Sequence, residues 1–324
     1  MSFRDIKGQD TSIGIIREYI SNSRFTGSYL FSGEEGVGKM FTARTLAKAL
    51  NCEKEGTDSC DRCASCLKIE KGEHPDVHII GSEEEGASDA VKIEYIRRLQ
   101  KEASLRPYEG KRKVFIVDNA HNLTSDAANA LLKVLEEPPE HTLIILVSAK
   151  PALLFKTIVS RCKTIKFYPL KRTLLEQVLK KDFRIDDTLS HYLAYFCEGR
   201  IGRALSLKET DILKDKNRVI DALALADRRR GTEFTADSRD SVKDSLNILA
   251  GWFRDIYMVK IGTSYSELIN LDRKDDLLRV MNRYAFTDLY EIMNSISGSF
   301  FYLDRNVNTK LLLSNLKWAL KNGA

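Results

Sequence analysis

Tyr29-Leu30-Phe31-Ser32-Gly33-Glu34-Glu35-Gly36-Val37-Gly38-Lys39-Met40 is the stretch that decides the fold. A short apolar run leads into glycines with the spacing GxxxxGK, and a helical segment follows. Strand, glycine-rich turn and helix in that order wrap phosphates with backbone N–H groups at a helix N-terminus, and Lys39 is placed to reach the outer phosphates. The next position departs from that chemistry. A serine or threonine there would ligate magnesium through its hydroxyl, whereas Met40 offers a thioether, a poor ligand for so hard a cation. Thr42 lies two residues on, about 200° around the helix, and points away. Magnesium binding is therefore expected to be weakened or lost.

Working outward, further apolar runs occupy residues 77–80, 114–117, 143–147 and 164–167, mostly separated by helical stretches. That is the pattern of a mainly parallel sheet covered by helices. The run Val114-Phe115-Ile116-Val117 ends in Asp118, the usual second magnesium anchor of such nucleotide-binding folds. The residue after it is Asn119, an amide without the basicity to activate water. Two departures in one apparatus point to abandoned hydrolysis. Gly33, Gly36, Gly38, Lys39 and Asp118 then form an inherited, disabled nucleotide site that can hold ATP or ADP without turning it over.

Six cysteines in a chain read as cytoplasmic argue against disulfides. Cys52, Cys60, Cys63 and Cys66 follow the phosphate-loop helix at spacings that let four thiolates converge on one tetrahedral zinc. Four sulfur ligands leave no open position, so the zinc is expected to be structural. Cys197 reads as a small buried residue.

A length of 324 residues calls for two or three domains. The polar start resembles no signal peptide, and no uncharged apolar stretch approaches the roughly 20 residues of a membrane span; a cytoplasmic location is expected. A net charge of +5 permits contact with DNA phosphates without demanding it, and Arg228-Arg229-Arg230 reads as a solvated loop. All six prolines fall at or before Pro169, so the second half can run as long helices. There, Leu249, Trp252, Phe253 and Ile256 recur at helical spacing, and Leu311, Leu312, Leu316 and Trp318 suggest a terminal helix. We read these aromatics as buried packing positions.

Five separated motifs carry a resemblance to the bacterial clamp loader subunits: Gly8-Gln9, the four-cysteine insertion, His74-Pro75-Asp76, the segment from Ala128 to Pro139, and Ser160-Arg161-Cys162. Trp252-Phe253-Arg254-Asp255 and Asn306-Val307-Asn308 match more loosely. The resemblance implies an AAA+ α/β domain over residues 1–168 with the zinc module at 52–66, a helical lid over 169–210, and an all-α collar domain over 211–324. It also implies partners: gamma/tau and delta subunits in a hetero-oligomeric ring that places a sliding clamp on primed DNA. The ATPase type of subunit, gamma or tau, has Ser or Thr after the loop lysine, an Asp-Glu pair on the acidic strand, a sensing arginine where this chain has Gly202, and a longer C-terminal extension. All four differences make this chain similar to the type that does not hydrolyse ATP. For Arg161 the resemblance implies an arginine finger, projected into a neighbouring subunit's ATP site; the plainer alternative is an arginine at a helix end holding a carboxylate. An active ATPase subunit and an autonomous DNA-binding protein are the rival readings.

Overall fold

The computed structural model describes residues 2–22, 25–81, 90–225, 238–305 and 307–322; Arg228-Arg229-Arg230 and Asn306 lie outside them. The chain divides into two compact units, residues 1–171 with 199–203, and residues 172–198 with 204–324.

The first unit is built on β1 (Gly27–Ser32), β2 (Val77–Ile80), β3 (Lys113–Val117), β4 (Thr142–Ser148) and β5 (Lys163–Lys166). Their order is β2-β3-β4-β1-β5 and every neighbouring pair is parallel. All five are the apolar runs singled out above. Parallel strands need crossovers, and these are supplied by α2 (Lys39–Asn51) and α3 (Ala64–Lys71) after β1, α4 (Ile93–Ala103) after β2, α5 (Ser125–Glu136) after β3 and α6 (Lys156–Val159) after β4; α1 (Asp10–Ser21) precedes the sheet.

Alternate residues of the strands feed two cores, because side chains in a strand point to opposite faces in turn. Tyr29, Phe31, Ile116 and Ile145 pack with Ile13 and Ile16 of α1 and Ala43 and Leu46 of α2. Leu30, Phe115, Ile144 and Leu146 pack with Ile96 and Leu99 of α4 and Leu131 and Leu135 of α5. With both faces covered, β3 and β4 are buried from end to end.

The second unit is helical: α7 (Arg172–Lys181), α8 (Asp187–Phe196), most of α9 (Ile201–Lys208), α10 (Ile212–Val219), α11 (Arg239–Lys260), α12 (Lys274–Val280), α13 (Phe286–Asp304) and α14 (Thr309–Asn322). Leu249, Trp252, Phe253 and Ile256 are buried on α11, as their spacing predicts. The same motif continues into Asp255, whose buried carboxylate accepts the backbone N–H groups of Ile269 and Asn270 at 3.1 and 2.7 Å.

On α14 the expectation of buried packing positions needs correction. Leu312 and Leu316 face inward with Leu313 and Leu320, but Leu311 is 57% and Trp318 70% exposed. Residues 311 and 318 are seven apart, two helical turns, and share the face opposite the inward leucines. No described helix is long and apolar enough to cross a membrane.

Candidate functional site

Because the sheet is parallel, the residues that follow its strands gather at one edge. Gly33, Asp118 and Ser148 mark the C-terminal ends of β1, β3 and β4, and open α/β sheets bind ligands at that edge. The loop requires its glycines: φ is +153° at Gly33, +77° at Gly36 and +96° at Gly38. A Cβ on Gly33 would lie 2.3 Å from the Phe167 carbonyl oxygen.

Lys39 opens α2 and is buried. Its Nζ donates to the Gly33 and Glu34 carbonyl oxygens at 2.7 and 2.5 Å. Burial pulls its pKa down to about 8, against the opposing influence of Asp118, Glu35 and Glu34. Farther along the loop, the Gly36 carbonyl accepts the Gly202 N–H at 2.7 Å, and a Cβ on Gly202 would come within 3.0 Å of the Gly36 Cα. The Lys39 ammonium and the Gly33, Glu34 and Gly36 carbonyls are thus engaged within the chain itself.

The two departures read from the sequence have local explanations. Met40 packs against the apolar core beneath the loop. Thr42 hydroxyl donates to the Gly38 carbonyl at 2.8 Å, turned back along the helix. The Asp118 carboxylate accepts the Asn119 N–H at 2.9 Å, and Asn119, at φ +45°, opens the short turn Ala120–Asn122. His121 Nδ1 lies 3.3 Å from the Ser148 hydroxyl; burial, then Lys150, lowers its pKa.

Cys52, Cys60, Cys63 and Cys66 converge, with their four Sγ atoms all within 4.8 Å of one another. A zinc–sulfur bond of about 2.3 Å implies edges of about 3.8 Å for a sulfur tetrahedron, so the donor set fits such an ion. Cys52 follows the last residue of α2, and Cys63 caps α3. The Cys60 thiol is held down to about 6 by backbone N–H groups of Arg62 and Cys63. Lys48, buried on α2, reaches Asp61 and Glu70 at 2.7 Å each and ties the module to the phosphate-loop helix. Cys162 and Cys197 stand outside the cluster, and Cys197 is buried as expected.

Arg161 occupies the other edge. It follows α6 and precedes β5 by two residues, where the chain enters the sheet. Glu136, the last residue of α5, likewise precedes the entry into β4. The four residues of β5 alone span about 10 Å, so Arg161 and Lys39 flank opposite ends of the strands. Arg161 Nε donates to Glu136 Oε1 at 2.7 Å, Nη2 also pairs with that oxygen, and Nη1 donates to the Thr157 carbonyl at 3.0 Å. In the chain by itself, then, the arginine at the helix end does hold a carboxylate.

Sequence reading assigned no role to Asp76, Lys48 or Glu136. Asp76 is fully buried and accepts the N–H groups of Tyr108, Glu109 and Gly110 at 2.7, 2.9 and 2.8 Å, which fixes the loop before β3. Its place in His74-Pro75-Asp76 was the available signal. Nothing in the sequence paired Lys48 or Glu136 with their partners.

The family described as "DNA polymerase III, delta subunit" matches residues 8–171, just over half of the chain, and its C-terminal counterpart matches residues 210–320. DNA polymerase III subunit delta' of Bacillus subtilis is 30% identical over 94% of this chain and 93% of its own length. The Escherichia coli subunit tau is 36% identical over 67% of this chain and 34% of its own length. Among solved structures, a gamma subunit-related protein of Thermotoga maritima aligns over 96% of this chain and 99% of its own, at 19% identity and a TM-score of 0.43. By its sequence matches, this chain belongs to the clamp loader subunit family of DNA polymerase III.

Proposed function

We propose that the chain is a delta-prime-type subunit of the clamp loader: its own nucleotide site is degenerate, and it donates Arg161 in trans to a neighbouring ATPase subunit. The observation that carries this reading is the placement of Arg161 at the edge of the sheet opposite Lys39. A guanidinium there cannot serve its own phosphate loop, and in a ring it faces another subunit. Met40, Asn119 and the Gly36–Gly202 contact support loss of the chain's own turnover.

Partners are gamma/tau and delta subunits, with the sliding clamp and primed DNA engaged by the assembly. An exposed apolar stripe on α13 supports assembly through the helical unit. Phe286, Tyr290, Met293 and Phe301 fall on one side of that helix and are exposed. The domain division proposed is residues 1–168, 169–210 and 211–324. The module at 52–66 holds one structural zinc, which stiffens the end of α2 and supplies no chemistry to the reaction.

The higher identity of the gamma and tau relatives, over about two thirds of the chain, favours the ATPase type as the alternative. Turnover separates the two. The isolated chain should hydrolyse no ATP above a Lys39→Ala control, and magnesium-dependent hydrolysis abolished by that substitution would establish the alternative. Metal analysis of protein purified without chelator should return about one zinc per chain; metal-free, folded protein with four reactive thiols would sink the zinc assignment.

A further inference from the structure

We infer that Glu136 is the positioning residue for Arg161, holding the guanidinium in the orientation in which it is presented to the neighbouring subunit. The inference rests on the trans role proposed above and adds a second residue to it. Glu136 is the last residue of α5, and Glu137 is its C-cap. Helix C-termini carry partial negative charge and disfavour carboxylates. Two adjacent glutamates at that end are a local choice against helix stability, and such choices mark positions kept for another purpose.

The contacts supply the purpose. Glu136 Oε1 takes both Nε and Nη2 of Arg161, along one side of the guanidinium. The Thr157 carbonyl, from the short helix just before, takes Nη1 at 3.0 Å, and the Ser160 hydroxyl lies 3.4 Å from the same nitrogen. A guanidinium has five N–H groups in a rigid plane. These contacts fix the plane from two directions and leave a hydrogen on Nη2 without an acceptor among the described residues. Side-chain exposure is 34% for Arg161 and 49% for Glu136. The pair is therefore at the surface, where an isolated ion pair contributes little to stability. A pair that adds little stability but constrains an arginine in two directions is suited to aiming it. A preorganised arginine loses less freedom when it meets a phosphoryl group.

The test uses the clamp loader reconstituted with its partner subunits. Assemblies would carry wild-type chain, Glu136→Gln, Glu136→Asp, Arg161→Ala, or Arg161→Ala with Glu136→Gln. Glu136→Gln should lower kcat at the neighbouring ATP site about ten- to a hundredfold, with KM for ATP and assembly affinity unchanged. Glu136→Asp should recover part of the loss. The double variant should be no slower than Arg161→Ala. Wild-type kcat in Glu136→Gln beside a slow Arg161→Ala would overturn the positioning role alone, as would additive losses in the double variant. Wild-type kcat in Arg161→Ala would overturn the trans role and this inference with it. A second readout is independent of activity. The Arg161 Nε–H resonance of the full-length isolated chain should exchange slowly with water in wild type and quickly in Glu136→Gln. Equal exchange rates would refute the pairing.

Discussion

At the C-terminal edge of the sheet Lys39 is buried and donates to carbonyls of its own loop. At the N-terminal edge Arg161 keeps about a third of its side chain in solvent and is held by a surface glutamate. Both are cations beside a helix terminus in a nucleotide-binding fold, yet one is satisfied internally and the other is presented outward. On the proposed function, the difference separates an edge closed on its own chain from one offered to a neighbour. On that proposal, Lys39, whose partners come from its own loop, tolerates Met40 and Asn119 beside it because no turnover is asked of the site. An arginine serving another subunit must stay accessible, and it needs local support that leaves part of its fork free.

The comparison breaks most visibly at Arg161. In the reconstituted clamp loader, Arg161→Ala should cut turnover at the adjacent site by about a thousandfold, while Lys39→Ala in the same chain leaves it unchanged. Arg161→Lys should rescue poorly, since an ammonium keeps the charge but not the planar fork. If the two alanine variants behave alike in steady-state hydrolysis, the contrast between the edges is empty.

The inward edge is tested by stability. Gly33→Ala places a Cβ against the Phe167 carbonyl and should cost about 3 kcal/mol in chemical denaturation. A smaller effect comes from Asp76, a buried group that precedes β2 at the N-terminal edge. Burial pushes its pKa up, but three backbone N–H donors outweigh that and hold it below the ordinary value. Its contribution is therefore complete above the unfolded pKa of about 3.9 and is lost as pH falls through the folded value. Asp76→Asn should cost about 2 kcal/mol at neutral pH and flatten the acid limb of the stability profile. A profile of wild-type shape would remove Asp76 from the account. The smallest expected change is Met40→Thr with Asn119→Glu, which should leave the isolated chain without measurable turnover, since the arginine must still come from a neighbour. Robust hydrolysis by this variant alone would mean that the site had lost only those two groups.

Much of this was legible in the sequence because it depends on local pattern. The five strands announce themselves as apolar runs, since strands of a covered parallel sheet are buried on both faces. Gly33, Gly36 and Gly38 were readable because only glycine adopts the backbone conformations of that loop without cost. The cysteine cluster was readable from spacing alone. What was not legible depends on pairing across the chain. Glu136 ends α5 and Arg161, 25 residues on, lies in the turn after α6, and Lys48 meets Asp61 and Glu70 only after α2 and α3 have packed. Trp318 was misjudged because it was grouped with neighbouring leucines, whereas seven-residue spacing puts it with exposed Leu311 on the face opposite buried Leu312 and Leu316. Gly202 carried a faint signal as the residue standing where a sensing arginine would be. A side chain there would crowd the Gly36 backbone, whose Cα lies 3.0 Å from the position of a Cβ.

The placement of Lys39 and Arg161 at opposite ends of the strands also gives the subunit a polarity. Two copies related by a twofold axis would bring like edges together and leave every arginine without a phosphate. Only a head-to-tail contact sets one subunit's arginine against the next subunit's loop, and such contacts build rows that have a direction. In a row of this kind a chain that gives an arginine but has no working loop to receive one fits at a terminus. On the proposed function this chain takes that place, serving a single neighbour and served by none.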